Sequence, residues 1–188
     1  MNKNPSIMAP HNFSVAPSVV QPRSQFRMPH GHKFTADFDK IYPIFYAEAL
    51  PGDTWNVKAN AFGRLTTPLY PVLDNMRIDV HFFAVPKRLL WTNWEKFNGA
   101  QDNPGDSTDF STPKVTTPGS GFTESEFYDY IGIPPGVAGI TYPTNFSGRC
   151  YNMVYNQFYR DQNLIDSIPL DTDDSPDRDW ETDIIIKF

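Results

Sequence analysis

The run DTWNVKANAFGRL, residues 53–65, places Trp55, Val57, Ala59 and Ala61 at every second position, with Thr54, Asn56, Lys58 and Asn60 between them. Side chains leave a strand alternately to its two faces, so a period of two commits such a run to a sheet with one buried face. Two more runs repeat the pattern. In KFTADFDKIYPIFY, residues 33–46, Phe34, Ala36 and Phe38 alternate with Thr35, Asp37 and Asp39. In NMRIDVHFFAVP, residues 75–86, Met76, Ile78, Val80 and Phe82 alternate with Arg77, Asp79 and His81. Pro86 ends this last run, because proline has no N–H to give to a ladder. The first and second runs meet at EALPGD, where Pro51-Gly52-Asp53 predicts a turn: proline presets φ and glycine takes positive φ. Composition agrees, with 18 prolines and 15% aromatic residues. Proline at that share means turns and edges, and aromatic residues favour strands.

Helical spacing is confined to the connections. KRLLWTNWEKFNG, residues 87–99, sets Leu90, Trp94 and Phe97 on one helical face, with Gly99 as the stop. TESEFYDYIG holds Thr123 and Glu126 at capping-box spacing ahead of Phe127, Tyr130 and Ile131. NFSGRCYNMVYNQFYRDQNLI, residues 145–165, forms an apolar row from Cys150, Val154 and Phe158 beside a second from Tyr151, Tyr155 and Tyr159. GAQDNPGDSTDFSTPKVTTPGSG, residues 99–121, is polar and rich in Pro, Gly, Ser and Thr, and predicts an exposed loop. Strands interrupted by long, partly helical insertions describe a mainly β fold, an antiparallel β-sandwich or jelly roll. The chain divides into a basic N-terminal arm, 1–33, and a sandwich part, 34–188, with insertions at about 87–131 and a helix at about 145–165.

The arm carries Lys3, Arg23, Arg27 and Lys33, and no acid occurs before Asp37. Such an arm, without a core of its own, can lie on nucleic acid or across other protein, and few charges neutralise few phosphates. The whole chain has a net charge of −6, too small to dictate a partner. No apolar run approaches the ~20 residues of a membrane helix and the N-terminus lacks the apolar core of a signal peptide, which predicts a soluble, unexported chain.

The residues offer no catalytic site, no metal centre and no cofactor. His30 and His32 flank Gly31, but two histidines fall short of the three or four convergent ligands a metal needs. Cys150 is the sole cysteine; it forms no internal disulfide, and its helical pattern predicts packing. DTDDSPDRD, residues 171–179, has the Asp-x-Asp of a calcium loop without its glycine or terminal glutamate, and predicts a solvated acidic loop. No glycine-rich phosphate loop, nucleophile elbow or H-E-x-x-H is present. A hydrolase has no residues to stand on. A carbohydrate-binding β-sandwich with Trp91 or Trp94 as sugar platform is the alternative from another class.

Residues 48–107, EALPGDTWNVKANAFGRLTTPLYPVLDNMRIDVHFFAVPKRLLWTNWEKFNGAQDNPGDS, resemble the N-terminal signature of the major capsid protein of gokushoviruses, small single-stranded DNA phages of the Microviridae. The resemblance rests on EALPGDT, on Thr67, Pro68, Pro71, Asp74 and Asn75, on FFAVPKRLLWTNW and on NPGDS. YNMVYNQFYRDQNL, residues 151–164, is similar to the family's tyrosine-rich helix.

The resemblance implies a viral jelly roll that self-assembles into a T=1 icosahedral shell around a circular single-stranded DNA genome. It implies assembly in the cytoplasm of a bacterial host, a place in the virion, and other copies of the same chain as partners. Minor viral proteins and a host receptor are further partners, and no membrane insertion is expected. On this reading Arg23, Arg27 and Lys33 meet neighbouring subunits or packaged DNA, and Phe13 and Phe26 are able to stack on bases. Trp55, Trp94 and Phe97 are structural anchors, with Trp91 assisting. Family members are much longer, and the chain contains only the N-terminal part of the jelly roll. An open set of strands leaves edges unpaired, which predicts that residues 1–188 alone do not fold stably.

Overall fold

The computed structural model describes residues 22–177, Asp39 excepted. The chain divides into two compact units, Met1–Gly31 and His32–Phe188. In the first, the described residues 22–31 are all exposed and contain neither helix nor strand. Phe13, His11 and Lys3 lie outside the described residues.

The described part of the second unit is mostly non-helical, with short elements and a small antiparallel sheet. In order they are α1 (Lys87–Leu90), α2 (Trp94–Phe97), β1 (Val115–Thr116), α3 (Phe127–Tyr130), β2 (Thr141–Tyr142) and α4 (Phe146–Val154), which continues into a π-helical turn, Tyr155–Tyr159. The sheet pairs Val115 with Tyr142 and Thr116 with Thr141. Asp177 runs parallel on the other side of Val115, so Val115 has a neighbour on each edge and is 1% exposed.

Two small aromatic cores follow. In one, Val115, Phe122, Phe127 and Tyr128 are buried together, with the Phe122 and Tyr128 rings stacked at 4.0 Å. In the other, Leu90, Trp91 and Phe146 are buried under Trp94 and Met153. Their buried residues fall in the insertion expected over 87–131 and the helix expected over 145–165.

The turn chemistry is where the residues put it. Gly52 takes φ +87°, and the Asp53 N–H donates to Leu50 O at 3.1 Å. At the second Pro-Gly-Asp, Asp106 N–H closes on Asn103 O, and the Asp106 carboxylate accepts from the N–H groups of Asp102 and Asn103. Gly99, at φ +95°, ends the helical stretch after Phe97.

Two of the three period-two runs, 53–65 and 75–86, are a correction, whereas Lys40 in the run 33–46 takes part in an isolated bridge. Among the described residues, 54–84 joins no backbone ladder, and 51–79 are exposed throughout except for half-buried Leu65. Alternation fixes which side chains share a face, but a strand is stabilised by cross-strand partners, and none of the described backbone supplies them here. Two of the runs do come together at one point: a Cβ on Gly63 would stand 2.8 Å from Ile78 Cδ1.

Two other expectations shift. Residues 99–121, read as an exposed loop, contain β1 and bury Pro113, Val115 and Thr117, because a few apolar side chains in a polar stretch find partners far along the chain. The helix expected over 145–165 is α4 with its π turn. Its buried side is Phe146, Arg149, Asn152, Tyr155 and Asn156, whereas Phe158 is 67% exposed. The wider π turn rotates the later residues out of the original register. The stretch 87–99 breaks into α1 and α2 because Trp91 leaves the helix, at φ −147° and ψ 118°.

Candidate functional site

The most heavily determined part of the molecule is the joint between α1, α4 and residues 172–177. Pro86 precedes α1 with its φ of −67° already set. Trp91, the residue that ends α1, then drives its ring inward and is 0% exposed. Its ring lies 5.3 Å from that of Phe97 and 6.0 Å from that of Phe146. The indole N–H donates to Asp174 Oδ1 at 2.5 Å, and Asn93 Nδ2 donates to Asp174 Oδ2 at 2.8 Å. Thr92 gives both its N–H and its hydroxyl to Thr172 O.

Beneath this contact Arg149, from α4, reaches Asp177. Nη2 donates to Asp177 Oδ1 at 2.6 Å, with side chains 4% and 1% exposed. Nε donates to both carboxylate oxygens, Nη1 to Leu90 O and Nη2 also to Asp173 O. The Asp177 carboxylate takes a further bond from Asn145 Nδ2 at 2.8 Å, and Asn145 Oδ1 accepts from the Tyr128 hydroxyl. The Asp177 N–H donates to Lys114 O at 2.7 Å. Gly148 makes room, since a Cβ there would lie 2.8 Å from Asn145 Oδ1.

A buried ion pair is tolerable only when its remaining donors and acceptors are also satisfied, and here they are. A carboxylate with this many donors has no free lone pair aimed at a cleft, so the cluster is a latch and not a reaction centre. The acidic stretch read as a solvated loop is thus corrected at its core. Asp174 and Asp177 are ligands of the protein's own donors, while Asp173 is held below the usual carboxylate range by hydrogen bonds from Ser175.

Tyrosine hydroxyls extend the joint outward. Tyr151 donates to Ile41 O at 2.8 Å and Tyr130 to Thr35 O at 3.1 Å. Lys87 pairs with Glu48 at 2.9 Å while its Nζ sits 5.0 Å from the rings of Trp94 and Phe146. His81 Nδ1 lies 2.5 Å from the Tyr159 hydroxyl, beside a Phe83–Phe158 contact at 4.7 Å. These four residues, with Val80 and Phe82, border an open cleft of about 470 Å³.

Of the anchors named from sequence, Trp55 is 40% exposed and Phe97 43%, and Trp94 is half-buried. Trp91, given the assisting part, is the buried one. Its burial also removes it as a sugar platform, and Trp94 has Lys87 over its ring. Arg23, Arg27 and Lys33 are exposed, as is Phe26 at 81%. Burial pushes the Cys150 thiol up from its ordinary value. Among the described residues no three His, Cys, Asp or Glu side chains are placed to hold a metal, and no helix is long and apolar enough to cross a membrane.

The other conspicuous surface is apolar. Phe62, Leu69, Tyr70 and Leu73 are 93%, 98%, 82% and 96% exposed.

Comparison with known proteins gives the class. The profile of the phage family described as capsid protein (F protein) matches residues 14–187, and the chain belongs to this family, whose role is structural and not enzymatic. It is 49% identical over 167 residues to capsid protein VP1 of Bdellovibrio phage phiMH2K, covering 89% of this chain and 31% of that one. It is 40% identical to capsid protein VP1 of Chlamydia phage 1, covering 92% and 30%. It is 30% identical to capsid protein VP1 of Spiroplasma virus 4, covering 88% and 30%. The chain therefore spans about a third of the length of the curated relatives it matches. These matches bear out the resemblance to microvirus capsid proteins read from the residues.

Proposed function

We propose that this chain is the N-terminal part of a capsid protein that assembles with other copies of itself into a T=1 icosahedral shell around a circular single-stranded DNA genome. The apolar surface of residues 51–79 carries the reading, in a chain aligned over most of its length with VP1 capsid proteins. Runs of period two without ladder partners are half-built strands, and the jelly roll is their completed form. Trp55, Val57, Met76, Ile78 and Phe82, between 40% and 63% exposed, become its inner face when the partner strands are in place. Trp94 and Phe97 hold the joint to that sheet.

Assembly buries such surfaces repeatedly, and in a closed symmetric shell modest individual contacts sum to a stable particle. The exposed Arg23, Arg27 and Lys33 lie toward neighbouring subunits or packaged DNA, with Phe26 placed to stack on a base or dock in a protein pocket. The protein resides in the virion, having assembled in the cytoplasm of the bacterial host. Minor viral proteins and a host receptor complete the list of partners.

The test is the mass and symmetry of the native full-length object, by native mass spectrometry and electron microscopy. A large closed particle is the expected result, and a monomer at high concentration overturns the reading. For the arm, Arg23→Gln with Arg27→Gln is expected to lower DNA packaging; particles with a normal DNA content would remove the nucleic-acid role.

A further inference from the structure

We infer that residues 85–177 form a folding unit that is complete before residues 51–79 acquire partners, and that the Arg149–Asp177 latch is the device that closes it. The order relative to shell formation rests on the capsid reading; the existence of two stages does not.

All the buried apolar residues of both aromatic cores fall between Leu90 and Tyr155, whereas 51–79 hold none. Backbone bonding divides the same way. Residues 86–177 supply the helices, the sheet and the long-range pairs Thr92–Thr172, Asn145–Pro113 and Asp177–Lys114, while 54–84 supply no backbone pair among the described residues. Regions so different in burial and bonding open at different free energies and behave as separate cooperative units.

The unit closes by its end meeting its beginning. Residues 172–177 bind the connection between α1 and α2, Trp91 to Asn93, through Thr172 and Asp174, and α4 and β1 through Asp177. Until Asp177 arrives, the core around Trp91 and Phe146 would enclose an arginine without a counter-charge, which opposes burial. Closure of the end of the unit onto its beginning is thus a condition for forming the core. The links from the unit to earlier residues are the His81–Tyr159 and Phe83–Phe158 contacts, the Lys87–Glu48 pair and the Tyr151–Ile41 and Tyr130–Thr35 bonds, and none of these involves 51–79.

Pulsed hydrogen exchange read by mass spectrometry tests this on the full-length capsid chain as it refolds from denaturant, before particles form. Early in refolding, amides of α4 and of Val115–Thr117 are expected to exchange on the order of a hundredfold more slowly than those of 51–79, which gain protection later. Simultaneous gain of protection in the two regions overturns the inference. Asp177→Asn is expected to raise exchange in α4 and at Val115–Thr117 by at least about tenfold, with 51–79 unchanged. Unaltered α4 protection removes the latch from its role. Trp55→Ser should leave α4 protection intact even if the earlier run is perturbed, and a parallel loss in α4 would show one cooperative unit. If no particle ever forms, the capsid reading fails, and the contrast within the unassembled chain still decides the two-stage question.

Discussion

Arg149 is the residue on which most of the described structure converges, and in the sequence nothing distinguishes it. It stands between Gly148 and Cys150 in a helical run, where an arginine ordinarily faces water. Its partner lies 28 positions later in a cluster of aspartates that look interchangeable. Only packing separates Asp177, 5% exposed, from half-buried Asp171 or exposed Asp173. Arg149→Ala strands a buried carboxylate and is expected to cost about 3–5 kcal/mol, read as a lowered denaturation midpoint for protection of α4. Arg149→Met combined with Asp177→Leu should recover part of that loss, the shortfall of about 1–3 kcal/mol or more coming from the Asn145 donor and the Leu90 and Asp173 carbonyls that lose their partners. If the double variant is no more stable than the single, the pair is not acting as a pair. Cys150 gives a second test at this scale. Burial raises its thiol pKa, so less thiolate is present near neutral pH, and alkylation is expected to run slower than for a free thiol. Unfolding should restore the ordinary rate.

At the scale of elements, punctuation was legible and pairing was not. Both Pro-Gly-Asp turns, the stop at Gly99 and the start after Pro86 depend on φ preferences and local hydrogen bonds within a few residues, so the sequence carries them directly. The capping-box spacing was half realised. Glu126 reaches back to the Thr123 N–H at 3.3 Å, yet α3 begins only at Phe127. β1 and β2 were illegible because Val115 and Tyr142 are linked by no local pattern. Their pairing depends on a close approach at Gly121, which sits at φ +79° with Val137 N only 2.4 Å from where a Cβ would be. Gly121→Ala is expected to cost more than the about 1–3 kcal/mol of left-handed strain alone, because the obstructing atoms are backbone. Preferential loss of protection at Val115–Thr117 would register it. Tyr151→Phe removes the donor to Ile41 O and should cost about 0.5–1.5 kcal/mol, with faster exchange in residues 40–44 and none in β1.

For the whole molecule, composition and resemblance told more than periodicity did. The motifs at 48–107 and 151–164 identified the family, because turn residues and aromatic side chains stand there at readable spacings. The jelly roll itself stays a proposal: its strands are half the interaction, and 51–79 have no partner among the described residues. The expectation that residues 1–188 alone would not fold stably now divides. Residues 85–177 should show a cooperative transition by circular dichroism, while 51–79 should be cut by protease before that transition begins. Simultaneous cleavage throughout would contradict the division.

By itself the sequence determined the turns, the approximate places of the helices, the absence of recognisable catalytic motifs and the family. All of these are set by residue type and short spacing. The tertiary structure decided which aspartate is buried, which face of α4 turns inward, and that Trp91 rather than Trp94 fills the joint. The physical reason is common to the three: burial of a charged or amphipathic side chain depends on a partner brought from far along the chain, and no local pattern encodes that partner's arrival.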